Sequence, residues 1–332
     1  MLPSETGTES TESESQLKVE SYDINDKSYI VASPSGHILR ISDTYAEIFP
    51  MWAGRILVTA HSQKWTLKAA EAATGFATSI IMCPAEAARE RILTPDKTPD
   101  GRLGVVIQIY SRSLKGLRDQ MILRIGQCIM TCPTTAAYDA LPKAERRLKI
   151  GRSLRLFGDG FQKKDKTEGR VVWRIPVMEG EFLVDDTFGA VKGAAGGTLL
   201  LMAESQRAGL EAAERAVGTI SQRVEGAIMP FPGGVCRSGS KVGSIRYRLR
   251  ASTNHPFCPT LKKIVPDSKV PDSVECVYEI VINGLTVEAV RRAMVEGVRV
   301  AAESPGILKI SATNFGGKLG PIRLGLKDML EL

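Results

Sequence analysis

The chain has little of what most cofactor and metal sites are built from. Among its 332 residues are only three histidines, His37, His61 and His255, scattered along the chain. Its six cysteines, at 83, 128, 132, 236, 258 and 276, form no C-x-x-C pair. A structural or catalytic metal is therefore not expected; His255 and Cys258 lie close together but lack a second pair. No secretory signal opens the sequence and no run of 18 apolar residues occurs, so we expect no membrane span and read the cysteines as reduced thiols of a cytoplasmic protein. The phosphate-binding pattern G-x-x-x-x-G-K-[ST] is absent, so no P-loop is expected. Aromatics make up 6% of the chain. The apolar strands "VVIQIY" and "VYEIVI" carry only Tyr110 and Tyr278 near their ends. Sheets that bind RNA stack bases on aromatics in mid-strand, so nucleic acid is not an expected partner either.

What is present is charge, imbalanced along the chain. Residues 1–20 hold five glutamates and one lysine, a balance of −4, so that the net +7 leaves +11 on the rest. The stretch "ETGTESTESESQ" is polar, repetitive and poor in apolar residues. We expect residues 1–36 to be a disordered acidic tail. A basic body can serve nucleic acid, a membrane surface or an acidic small substrate, or nothing beyond solubility.

The sequence repeats itself. "ILVTAHSQKWTLKAAEAATG" (56–75) matches "LLLMAESQRAGLEAAERAVG" (199–218), with Ala60, Ser62, Gln63, Leu67, Ala69, Ala70, Glu71, Ala73 and Gly75 all recurring. Each copy reads as an apolar strand, a serine N-cap, an alanine-rich helix and a glycine at the helix end, then a short apolar strand, "SIIMC" or "GAIMP". Further on, "VVIQIY" (105–110) and "VYEIVI" (277–282) each precede a helix, about 114–130 and 286–302. In the second helix Val287, Val290, Met294 and Val298 fall on one face. "GILKIS" (306–311) closes the second copy as a strand. The order strand, helix, strand, strand, helix, strand occurs twice. The expected fold is therefore α+β, with duplicated ferredoxin-like (split βαβ) lobes whose antiparallel sheets carry helices on one face. We place the lobes at 37–146 and 198–332, with a β-rich connection at 147–197. The offset between copies grows from 143 to 171 residues, which marks 229–275 as an insertion in the second lobe.

The insertion contains "PFPGGVCRSGSKVG" (230–243), too long for a turn and too rich in glycine for a helix. Its backbone N–H groups around Gly233 and Gly234, with Ser238, Ser240 and Lys241, could hold an anionic ligand; it could equally decorate the surface. "TNHPFCPT" (253–260) adds Asn254 and His255. "SDTYAEIFPMW" (42–52) places Glu47 and Trp52 near the start of the folded part, and its acids could be surface groups. Glu279 interrupts the apolar "VYEIVI", and the 171-residue offset sets it against Gln108 of the first copy. If buried, its pKa rises and it can donate a proton or a hydrogen bond to a developing oxyanion. If the strand face is solvated, it is an ordinary surface acid.

The motifs "DTYAEIFPMW", "TGFATSIIMCPAEA", "TPDGRLGVVIQI", "GQCIMTCPTTA", "FGDGF", "PFPGGVCRSGSKVG", "STNHPFCPTLK", "VYEIVI" and "GGKLG" occur in that order. Together they resemble the formylmethanofuran:tetrahydromethanopterin formyltransferase family, from about residue 40 to the C-terminus, and in particular the subunit found in bacterial formyltransferase/hydrolase complexes. The N-terminal extension departs from the family pattern. The resemblance implies a duplicated ferredoxin-like enzyme that forms a homo-oligomer, dimer or tetramer. It implies formyl transfer between methanofuran and N5 of tetrahydromethanopterin, both acting as substrates, with no metal or nucleotide consumed. It further implies that Glu279 is the catalytic acid, and that Gly233, Gly234, Ser238, Ser240, Lys241, Asn254, His255, Glu47 and Trp52 border the substrates. The competing reading is a non-catalytic architectural subunit of such a complex.

Overall fold

The computed structural model describes residues 16–332 apart from 168. Residues 1–15 of the expected tail lie outside the described residues, but 16–36 are not a tail. β1 (Lys18–Asp23) and β2 (Ser28–Ala32) form an antiparallel hairpin, and β2 pairs with β3 (Ile38–Ser42). The reason lies just beyond the acidic repeat. "SYIVA" alternates well enough to send Tyr29 and Val31 into the same apolar cluster as Leu39 and Ile41. At the hairpin turn Asp26 receives the buried Lys309 ammonium at 2.5 Å.

The first repeat begins with β4 (Tyr45–Thr59), followed by α1 (Gln63–Thr74), β5 (Glu86–Leu93), β6 (Gly104–Ser111), α2 (Leu114–Arg124) and β7 (Ala136–Asp139). β6 and β7 flank β4 and β5 lies outside β6, all pairing antiparallel. "SIIMC" is not a strand: residues 79–83 turn, and the strand that follows the helix is β5. The connection holds β8 (Arg146–Leu148), α3 (Ile150–Leu154), β9 (Lys163–Thr167), β10 (Arg170–Val177) and β11 (Gly180–Asp185). "SLRLFG" is helical in part, and Asp159 and Gly160 of "FGDGF" turn the chain with positive φ values of 47° and 94°.

The second repeat starts earlier than expected, with β12 (Phe188–Ala203) reaching back into the connection. α4 (Gln206–Arg223) and β13 (Ala227–Ile228) follow; the helix runs past Gly218 because Ile220 continues its buried face. The insertion carries β14 (Ser240–Val242) and β15 (Ala251–Thr253), a small separate hairpin. β16 (Cys276–Gly284), α5 (Val287–Ala302) and β17 (Ile307–Ser311) complete the repeat, and β18 (Ile322–Gly325) and α6 (Leu326–Leu330) end the chain. β16 and β17 flank β12, with β13 outside β16, again antiparallel.

Sixteen of the described strands join one sheet. Its seam is the ladder between β4 and β12, from Ala190 opposite Gly54 to Ala195 opposite Phe49. One apolar cluster packs α1 and α2 on β4 and β6; another packs α4 and α5 on β12 and β16. The two repeats are also clasped by buried polar bonds. Arg55 grips Glu90 through two bonds of 2.8 and 2.6 Å, and the same carboxylate accepts the Gly226 backbone N–H at 2.9 Å. The ladders correct one alignment. Leu57 faces Val106, whereas its repeat counterpart Leu200 faces Glu279. Glu279 therefore corresponds to Val106, two residues away from the Gln108 suggested by sequence.

Deleting residues 1–33 uncovers Leu39 and Ile41 and removes Tyr29 and Val31, each worth about 1.5–3 kcal/mol when fully buried. The truncated chain is expected to lose at least several degrees of melting temperature in a calorimetric scan. An unchanged transition would mean the hairpin contributes nothing to the core.

Candidate active site

Glu279 sits in the middle of β16, where successive residues alternate between two faces. Ile280 and Ile282 point into the core under α4 and α5; Glu279, Val281 and Asn283 take the opposite face. The inserted loop is fastened at this point. Cys236 and Glu279 exchange both backbone hydrogen bonds, at 2.7 and 2.9 Å, so the glycine-rich segment crosses directly beside the carboxyl. Glu279 is 8% exposed. Burial pushes its pKa up to about 7, against weaker opposing bonds from the Thr313 hydroxyl and the Cys236 thiol. The Thr313 oxygen lies 3.5 Å away. Around neutral pH a large fraction of this carboxyl is protonated and able to donate.

Two hollows meet at this residue. The larger, about 620 Å³, is bordered by Glu279, Asn283, Glu86, Arg112, Ser240 and Phe231. The smaller, about 380 Å³, is bordered by Glu279, Cys236, Ser238, Asn254, Phe257 and Tyr278. Glu279 is the residue common to the two linings.

The residues singled out by sequence divide accordingly. Ser240 lines the larger hollow, and Ser238 and Asn254 the smaller. Glu47 also borders the larger hollow, but its carboxylate is occupied. Burial alone would raise its pKa, yet backbone N–H groups of Gly317, Leu319, Phe315 and Gly320 outweigh burial and hold it below the usual range. Glu47 thus fixes the C-terminal loop. Gly233 and Gly234 shape a tight turn with φ of 63° and 80°, and Gly234 packs on Val217; neither lines a hollow. Lys241 on β14, His255, 3.7 Å from the Asp267 carboxylate, and Trp52, under the Lys192 ammonium at 4.4 Å, also line neither.

The sequence reading missed Glu86, Asn283, Arg112 and Thr313. Glu86 sits in "TGFATSIIMCPAEA", quoted only as a family motif, and Asn283 lies one step of strand alternation beyond "VYEIVI". Among the described residues no group of three or more His, Cys, Asp or Glu side chains is placed to hold a metal, and no helix is long and apolar enough to cross a membrane.

A proton-donating carboxyl shared by two hollows suits an enzyme that passes a group from one bound molecule to another. Known proteins specify the group. The family model for formylmethanofuran-tetrahydromethanopterin formyltransferase matches residues 36–177, and the model described as FTR, proximal lobe, matches 180–329. The formyltransferase of Methanopyrus kandleri is 52% identical over 295 residues, 88% of this chain and 98% of that protein. The solved formyltransferase of Methanosarcina barkeri superposes with a TM-score of 0.85 at 47% identity, covering 88% and 98% of the two chains. A chain of the formyltransferase/hydrolase complex of Methylorubrum extorquens, solved with methylofuran, superposes with a TM-score of 0.84 at 42% identity, covering 88% and 97%. The chain belongs to the formylmethanofuran–tetrahydromethanopterin formyltransferase family and is a formyltransferase. The comparisons favour this over a non-catalytic subunit, and identity to the two archaeal enzymes exceeds that to the bacterial complex.

The raised pKa of Glu279 has a sign for stability. In the unfolded chain the group titrates near 4.5 and in the fold near 7. The fold gains from its protonated form below pH 4.5 and loses that gain as pH rises through 7. Above that range the fold carries a buried carboxylate at a cost of up to about 3 kcal/mol. Glu279→Gln is thus expected to melt higher than the wild type at pH 8.5 but not at pH 4.5. Equal melting at both pH values would contradict the burial.

Proposed function

We propose that this enzyme moves a formyl group directly between the amine of methanofuran and N5 of tetrahydromethanopterin, with Glu279 as the neutral acid at the carbonyl oxygen. The observation carrying this reading is that Glu279 borders both hollows, so one carrier in each brings formamide and amine to the same carboxyl. The N5 lone pair attacks the formyl carbon, a C–N bond forms, and the carbonyl electron pair moves onto oxygen. Glu279 donates a hydrogen bond to that oxygen. Collapse breaks the C–N bond to the methanofuran nitrogen, which takes up a proton as N5 gives one up. Protons and electrons balance without metal, nucleotide or covalent enzyme intermediate, and holding both carriers together supplies much of the rate.

Ser238 and Asn254 on one side and Ser240 on the other are the carrier contacts in this scheme. Gly233 and Gly234 shape the loop, Glu47 and Trp52 support the walls, and Lys241 and His255 stand further out to meet acidic parts of the carriers. The matching strand order of the two repeats supports reading residues 37–146 and 198–332 as duplicated ferredoxin-like units, with 147–197 between them and 229–275 inserted. Free cysteines support a cytoplasmic setting, and the exposed Ile245, Tyr247 and Leu249 support a homo-oligomer.

Glu279→Gln keeps shape but donates a weaker hydrogen bond. Loss of one preorganised donor costs roughly 3 kcal/mol, on the order of a hundredfold in kcat, while both KM values change little, because the oxyanion exists only in the transition state. In the wild type kcat is expected to fall as pH rises above about 7, where Glu279 loses its proton. Unchanged turnover in the variant, or a flat pH profile, would remove Glu279 from the reaction. Rises confined to KM would make it a binding residue.

A further inference from the structure

The smaller hollow has a counterpart in the first repeat that no step of the transfer uses. Glu279 faces Leu200 across the ladder of β16 and β12, and both border the smaller hollow. The equivalent pair in the first repeat is Val106 facing Leu57 on β6 and β4, and both border a third hollow of about 470 Å³. In each repeat this pair lies on the sheet face turned away from the helices. Ile56, Val58, Val105 and Ile107 pack against α1 and α2, as Leu199, Leu201, Ile280 and Ile282 pack against α4 and α5. The segment joining the second and third strands borders both recesses, through Lys97 and Thr98 in the first repeat and through the insertion in the second. The duplicated scaffold thus forms the same recess twice. Only one copy holds an acid, because a valine stands in the first repeat where Glu279 stands in the second.

The first-repeat recess has a cationic rim over an apolar floor instead. Leu57, Leu93 and Val106 form the floor. Arg55, Arg91, Lys97 and Arg170 border it, and their partners differ in kind. Arg170 is paired with the buried Asp185 at 2.7 Å. Asp139, on the same wall, is paired with Arg147 at 2.7 Å and accepts two backbone N–H groups. Arg55 is held from within by Glu90. What remains turned outward is held by Glu225 alone: Arg55 Nη2 and Arg91 Nη1 each donate to one of its carboxylate oxygens, both at 2.9 Å. Glu225 follows α4 on the second repeat, and its side chain is more than half exposed. The Arg55 and Arg91 guanidiniums hold its carboxyl below the usual range. Lys97 is exposed, and its ammonium has no ion-pair or hydrogen-bond partner among the described residues. An exposed ion pair contributes little to stability, so Glu225 can leave its two arginines at small cost. With Glu225 displaced, four cations on this rim face two acids, Asp96 and Asp139.

We propose that this recess is a second, non-catalytic binding site, for a small molecule with an apolar body and a terminal oxyanion, carboxylate or phosphate, that takes the place of Glu225 between Arg55 and Arg91. The body covers Leu57 and Val106, and burial of that apolar surface favours the complex. The oxyanion accepts charge-assisted bonds from both guanidiniums, with Lys97 on the same rim. Glu225 is the chain's own stand-in for that anion.

Phenyl phosphate and benzoate are the probes: each has a flat apolar body, one with a phosphate and the other with a carboxylate. By calorimetry on the full chain at low salt, at least one is expected to bind with a Kd below about 1 mM. Arg91→Ala is expected to weaken that binding about tenfold, through loss of a charge-assisted bond. Glu225→Gln is expected to tighten it about tenfold, because the internal competitor loses its charge. The opposite signs identify the recess, since an anion bound beside Glu279 would respond to neither change. Unmodified enzyme gives a second reading that does not depend on how the variants fold. Labelling of Lys97 by trinitrobenzenesulfonate, followed by peptide mass spectrometry, is expected to be lost when the probe saturates the site, while the exposed Lys64 on α1 labels as before. The tighter of the two probes names the anion. Failure of both probes to bind, binding that neither variant moves, or undiminished labelling of Lys97 overturns the site.

Discussion

The cleft depends on one ladder, the antiparallel pairing of β4 with β12. Each repeat has its own pair of helices packed on its own strands. What turns them into one surface is that both first strands are overlong and lie against each other from Phe49 to Gly54 and from Ala190 to Ala195. The sequence "FGAVKGAAGGT" is built for that approach. A Cβ on Gly193 would lie 2.8 Å from the Gly284 carbonyl oxygen and 3.0 Å from the Tyr110 ring. Gly196 takes φ of +99°, where a side chain would meet the Glu47 carbonyl oxygen at 2.5 Å. At this point β12 leaves β4 and its register with β16 shifts. β12 can therefore serve the seam with one half and the second repeat with the other. Glu86 and Asn283, from different repeats, can touch only because this seam fixes the repeats against each other.

Three glutamates around the larger hollow show how little residue type decides. Glu47, Glu86 and Glu279 are all buried, and burial raises the pKa of each. Glu47 receives four backbone N–H groups and ends below the usual range. Glu86 receives one backbone N–H and one amide and stays raised. Glu279 has only a hydroxyl and a thiol to oppose its burial, and reaches about 7. The number and kind of donors aimed at each carboxylate sets its protonation.

The part of this arrangement that sequence revealed is the part written in local pattern. The repeat at 56–75 and 199–218, the helices at 114–124 and 287–302, and the odd carboxyl in "VYEIVI" all follow from periodicity within one element. What escaped depends on partners distant in sequence. The burial of "SYIVA" requires β3 and β17, so a hairpin after an acidic run read as tail. Glu47 looked like a surface or ligand acid because its four donors lie some 270 residues away. The counterpart of Glu279 was displaced by two residues because apolar strands align almost equally well at even shifts, which preserve the face; only hydrogen-bond register separates them.

The insertion follows the same division. Its existence was legible from the change in repeat offset, and its proximity to Glu279 was not. A loop of glycine, serine and proline has no periodicity to say where it lies. Its position is set by the pair of backbone bonds between Cys236 and Glu279, which no side-chain pattern encodes. That bond pair also fixes the loop beside the acid. Cys236 pins one point of it to β16, while Ser238 and Ser240, on either side of the next turn, fall to different hollows. The loop runs between the two spaces at Glu279, the residue that borders both, an arrangement that suits the proposed transfer between two bound carriers.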